Sequence, residues 1–155
     1  MGKYGVHFAA YATSTAFKTA ATLVPAATNI LCECVEAVMT GDGSTTPADI
    51  AHQAALAKTT VATAGTATTV TAEPMDDASN AARTITKVKY SAEGTVVGTV
   101  YPVVFGFNQR GGMRWAVPRG EGIFVYQPLT NKGLAFGVLS SVAGTVEGSA
   151  DFWEP

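Results

Sequence analysis

Residues 97–127, VGTVYPVVFGFNQRGGMRWAVPRGEGIFVYQ, set β-branched and aromatic residues in short bursts between Gly, Asn and Pro. Such bursts suit half-buried strands, and the turn chemistry between them leaves few alternatives. Gly111 and Gly112 allow positive φ in a tight hairpin, so 108–112 predicts a turn between two strands and 118–122 a turn into a third. The expectation is an antiparallel meander at the centre of an all-β domain.

At 155 residues the chain is long enough to bury about two thirds of its unfolded surface in one domain, with no need of metal or disulfide. Charged residues make up only 14%, against roughly 25% in ordinary domains, so the exterior is either Thr and Ala or covered by partners. A net charge of −2 gives phosphate no electrostatic hold, which argues against nucleic acid as a partner. Arg83, Lys87, Lys89, Arg110, Arg114 and Arg119 nevertheless lie between residues 83 and 119, and read as a solvated or partner-facing edge.

Residues 1–29 contain no turn that would fold them back as a hairpin. Tyr4, Val6 and Phe8 alternate, and Tyr11, Phe17 and Leu23 follow among small residues, so an extended conformation is expected. Two readings compete: a first strand of the chain's own domain, or an arm that adds a strand to a neighbouring subunit. Lys3 precedes an Ala-rich tract, but Thr13, Ser14, Thr15 and Lys18 break any signal-like apolar core. No run reaches the 18 or so apolar residues of a membrane helix. No membrane partner is expected.

Residues 30–155 then form the sandwich proper. In 29–39, Ile30, Cys32 and Cys34 share one face and Glu33 the other, as in a core strand. The two cysteines, roughly 7 Å apart along a strand, suit a core better than a disulfide. His7 and His52 lack ligand spacing, so neither metal nor other cofactor is expected. Asp42, alone in a Gly loop, falls far short of a calcium site. Residues 47–58 carry helix-start signals in Thr46, Pro47 and Asp49, yet Ile50, His52, Ala54 and Leu56 alternate, and strand is the favoured reading.

The stretch 59–72 alternates Val and Thr well enough for two short strands around Gly65, and its Thr66, Thr68 and Thr69 offer hydroxyls for O-linked sugars. In 84–90, Ile85, Lys87 and Lys89 oppose Thr86, Val88 and Tyr90, which gives one wet face. Gly137 marks a bulge in 134–140, and Phe152 and Trp153 should seal a sandwich edge. Asn108, Gln109, Arg110, Arg114 and Trp115 form the most polar and aromatic cluster, either a partner or ligand patch with Trp115 as a stacking platform, or a turn plus cross-strand pairing.

Catalytic chemistry finds no foothold. No Ser/His/Asp set has supporting spacing, and Glu33, Glu36, Glu73 and Asp76 fall in turns or on ordinary strand faces. The sequence 119–122 lacks the following helix that a phosphate loop needs.

Taken together, segments such as AGTATTVTAEPMD and FNQRGGMRWAVPRGEGIFV resemble the small jelly-roll structural proteins of tailed-phage virions and related self-assembling fibres. The resemblance covers residues 30–155 and implies a single antiparallel β-sandwich of jelly-roll type. By the same resemblance the protein would be virion or extracellular, would decorate a capsid or polymerise as a fibre, and would have copies of itself or a scaffold protein as partners. The alternative expectation is a glycan-binding β-sandwich module built on Trp115.

Overall fold

The computed structural model describes residues 1–26, 30–41, 49–59, 65–76, 78–91, 93, 101–126 and 132–155. Their twelve strands form two antiparallel sheets packed face to face, a β-sandwich. The first sheet contains β1 (Gly2–Ala12), β3 (Leu31–Gly41), β6 (Glu73–Pro74), β9 (Gly112–Ala116), β10 (Ile123–Tyr126) and β12 (Thr145–Glu154), in the order β10-β3-β12-β1-β6 with β9 also on β3. The second contains β2 (Lys18–Pro25), β4 (Ala51–Thr59), β5 (Thr68–Val70), β7 (Thr84–Val88), β8 (Val103–Asn108) and β11 (Gly133–Ser140), in the order β5-β7-β2-β11-β4-β8.

Alternation explains which side chains make the core, and bulges explain where alternation fails. On β1, Tyr4, Val6 and Phe8 point inward, but Tyr11 is three residues beyond Phe8 and is buried as well. The register against β12 shifts between those two, where Ala10 adopts a φ of 49°, and the extra residue returns Tyr11 to the core side. On β3 the same device leaves Val35 unmatched between Cys34 and Glu36, so Cys32, Cys34, Ala37 and Met39 all reach the interior. Tyr4 stacks on its cross-strand neighbour Phe152 at 5.6 Å, and Phe8 meets Phe136 of the opposite sheet at 5.9 Å. The register of β11 on β2 also shifts beside Gly137, with Ala20 as the unmatched residue, and a Cβ on Gly137 would lie 2.1 Å from the Phe17 ring.

The leading segment takes its place as strands of the chain's own sandwich. β1 lies between β12 and β6, and β2 lies between β7 and β11, so Tyr4, Val6, Phe8, Tyr11 and Leu23 are core residues of their own domain. Phe17 is half-buried against Tyr101. The connection at 13–17 uses neither Gly nor Pro: the Ser14 hydroxyl accepts from the Ala16 amide, and Thr13 exchanges backbone and side-chain hydrogen bonds with Gly144, 131 residues away. A turn closed by so distant a residue leaves little local signature.

The central meander is also corrected. β8 pairs with β4, whereas β9 and β10 both pair with β3, end to end along one side of it. The turn at 108–112 does form, with the Gly111 amide donating to the Asn108 carbonyl, but it carries the chain from one sheet to the other. Gln109 N–H donates to Ile50, just ahead of β4 of the second sheet, and Gly41 N–H, at the end of β3 of the first, donates to Gly111, which pins the crossing on both sides. Residues 51–59 are a strand, β4, while the helix-start signals at Thr46 and Pro47 lie outside the described residues. β12 is a central strand, so Phe152 fills the core and Trp153 stands on the outer face instead of sealing an edge.

Candidate functional site

The polar and aromatic cluster at 108–115 does not converge on one patch. Asn108 is spent on its turn, its side-chain oxygen accepting from the Arg110 amide. Gln109 is buried, and Arg110 reaches Asp49 at 3.2 Å in a largely exposed pair. Arg114 and Trp115 are consecutive on β9 and so point to opposite faces. Trp115 packs half-buried against the core, and Arg114 turns outward to Glu36, with 2.7 Å between Nε and the carboxylate. The guanidinium hydrogen bond holds the Glu36 carboxyl below the usual carboxylate range against the opposing effect of desolvation. Trp115 is therefore no stacking platform.

A different constellation forms on the outer face of the first sheet. Glu33 of β3 lies in register with Phe124 of β10 on one side and Trp153 of β12 on the other, and direct cross-strand partners on one face sit about 5 Å apart. Leu31 and Met1 extend this row into an apolar groove of about 470 Å³. Leu31 and Phe124 remain 37% and 39% exposed, although both are large apolar residues of a folded strand.

Glu33 organises the groove without facing into open water. Its carboxylate is buried and accepts from the amides of Gly120 at 2.6 Å and Gly122 at 3.0 Å, which fixes the 118–122 turn over β3. Gly120 has a φ of 91°, and a Cβ on Gly122 would lie 2.3 Å from the Cys34 carbonyl oxygen, so both positions require glycine. The turn in turn sets Arg119 over the Trp153 ring, 5.3 Å from its centroid. Beyond this apolar row the same face becomes charged, with Lys3 bonded to Asp151 at 2.9 Å.

A second polar site lies where β4 meets β11. His52 Nδ1 and Ser140 Oγ are 2.6 Å apart beside a cleft lined by Thr15, Gln53 and Ser141. The ring stacks on Phe107 at 4.9 Å, and burial lowers its pKa, with the Gln109 side chain working the other way. The adjacent amides are committed, Ser140 N–H to Ser14 and Ser141 N–H to Ala51, so neither is available to a developing oxyanion. The pair ties β4 to β11.

Cys32 and Cys34 are free and buried, and burial pushes the Cys34 thiol up to about 12 and that of Cys32 well above its ordinary value. Among the described residues no group of three or more His, Cys, Asp or Glu is placed to hold a metal. His7 points outward from β1, Glu73 lies on β6, and the Asp76 side chain accepts from the Ala78 amide. Thr66, Thr68 and Thr69 are exposed, the latter two on the short edge strand β5, and the Thr66 hydroxyl bonds Ser91.

No family model matches the chain, and neither the curated proteins nor the solved structures contain a match.

Proposed function

We propose that the protein is a non-enzymatic structural subunit of a repetitive assembly, a virion-type decoration or fibre subunit, and that it meets copies of itself or a scaffold through the surfaces of its finished sandwich. The observation that carries this reading is the distribution of exposed apolar side chains. Leu31, Phe124 and Met1 gather at one end of the first sheet and Val104 lies on an edge of the second, in a chain with only 14% charged residues.

The strand orders support a jelly-roll connectivity. Setting aside the short additions β5, β6 and β7 and taking β9/β10 together, the chain changes sheet at every step except from β4 to β8, and β1-β12-β3-β9/β10 faces β2-β11-β4-β8, an order that agrees with the paired Greek keys of that fold. Jelly rolls serve shells and lectins alike, so the fold agrees with the reading without selecting it. Light scattering across a concentration series, with electron microscopy of the concentrated sample, tests it. Regular particles or filaments are expected, and a monomer at millimolar concentration removes the proposal.

One observation favours a second reading as a glycan-binding module: Trp153, Phe124 and Arg119 line a single groove, a function the sequence assigned to Trp115. Quenching of Trp fluorescence by oligosaccharides that disappears in Trp153→Ala would support it. Sugars carried covalently at Thr66, Thr68 or Thr69 fit an extracellular or virion location, and an intact mass equal to that of the bare chain excludes them.

A further inference from the structure

Each sandwich exposes sheet edges, and three stretches of edge here carry their own protection. β6 has only two residues, one of them Pro74. β5 has three. β9 and β10 share the side of β3 but are interrupted by the 117–122 turn with its Pro118, and β9 presents Arg114. β8 has none of these devices: VVFGFN is six residues long, carries no charge and no proline, and pairs with β4 in an unbroken register. Among the described residues no strand lies on its other side. Long, uncharged, unbulged edges are those that pair with another chain.

The unused backbone groups can be identified. Gln109 N–H donates to Ile50, so hydrogen-bonded pairs along β8 and β4 fall at odd-numbered β8 residues, and the amides and carbonyls of Val104 and Gly106 point away from the sheet. Gly106 itself is unexplained by the chain's own packing. A Cβ there would meet only the His52 carbonyl oxygen at 4.0 Å, and its φ is not positive. Glycine inside a strand costs stability, and where there is neither bulge nor bend it marks a place where a ligand or another backbone can approach closely.

We infer that β8 pairs antiparallel with β8 of a second copy about a twofold axis through Phe105, an inference that rests on the assembly reading above and names its contact. In that register Val104 of one copy exchanges two backbone hydrogen bonds with Gly106 of the other, and the reverse pairing exchanges two more. The outward Val104 side chain, 45% exposed, then covers the vacant Gly106 position of its partner. Val103, Phe105 and Phe107, which are only half-buried on the inner face, gain the same residues of the copy as neighbours. Because the segment complements itself, a second copy satisfies the outward amides and carbonyls of Val104 and Gly106, and the contact joins two six-stranded sheets into one.

The test is sedimentation of the full chain against Val104→Lys, a substitution at an exposed position whose backbone bonds are not used by β4. The wild type is expected to dimerise or assemble further, and the variant to weaken that dissociation constant at least tenfold with an unchanged circular dichroism spectrum. A double variant, Val104→Cys with Gly106→Cys, is expected to give a disulfide-linked dimer under oxidation, because hydrogen-bonded partners bring the Cα atoms to about 5.5 Å. Wild-type assembly that survives Val104→Lys and yields no cross-link overturns the β8 contact and leaves the assembly reading standing. A wild type that stays monomeric overturns both.

Discussion

The carboxylate of Glu154, at the end of β12 in the first sheet, accepts the backbone amide of Thr84 at the start of β7 in the second, and accepts Arg83 N–H at 2.9 Å with its other oxygen. One buried side chain therefore joins the two layers. Glu154→Ala leaves both amides without this acceptor, and the expected destabilisation is about 2–3 kcal/mol. Urea unfolding reads it directly. A loss below about 0.5 kcal/mol would mean that water replaces the carboxylate without cost.

Acid should weaken the fold first through His52. Burial depresses its pKa in the folded state below the ordinary 6.5, so the unfolded chain binds the proton more readily. The contribution is intact above pH 6.5 and is lost as pH falls below it. Glu36, also depressed, adds a second loss only below its ordinary 4.5, while Glu93, raised by burial, works in the opposite sense above 4.5. The difference between the wild type and His52→Gln isolates the histidine. That difference should shrink between pH 7 and pH 5, and a constant difference across the range would show that His52 does not titrate differently on unfolding.

Strand identity was legible where alternation ran unbroken, as in Ile85, Lys87 and Thr86, Val88 of β7, and from the alternation of Ile50, His52, Ala54 and Leu56 leading into β4. Pairing partners were not, because periodicity along one strand carries no record of its neighbour. Asn108 and Gly111 do make the anticipated turn, yet the choice between continuing one sheet and crossing to the other was made by contacts to Ile50 and Gly41. The bulges at Ala10 and Val35 were equally silent, since neither is Gly or Pro and each is defined only against β12. The groove was missed for a related reason. Glu33, Arg119 and Trp153 looked ordinary one at a time, and 87 residues separate Glu33 from the Gly120 amide it fixes.

The paired cysteines should be inert in the folded protein. Both thiols are fully enclosed and both pKa values are raised by desolvation, so thiolate is scarce and reagents have no access. Labelling by a maleimide at pH 7.5 is expected to be at least a hundredfold slower in buffer than in 8 M urea, with two labels in the latter, one for each cysteine. Rapid native labelling would show that the β3 side of the core opens easily.

Glu33 acts on the groove through the turn it holds, and this separates its effect from that of Arg119. Removing the Arg119 guanidinium exposes the Trp153 ring but leaves the turn anchored; removing the Glu33 carboxylate frees the Gly120 and Gly122 amides and lets Arg119 leave the ring with them. In a Trp115→Phe background, so that Trp153 alone emits, both Arg119→Ala and Glu33→Ala should raise acrylamide quenching. Only Glu33→Ala should also lower stability, by about 1–3 kcal/mol, because a buried acceptor of two amides is lost. If Glu33→Ala left quenching unchanged, Arg119 would be held over Trp153 by the cation–π contact itself, worth about 0.5–1 kcal/mol at an exposed site, and the turn would need no carboxylate beneath it.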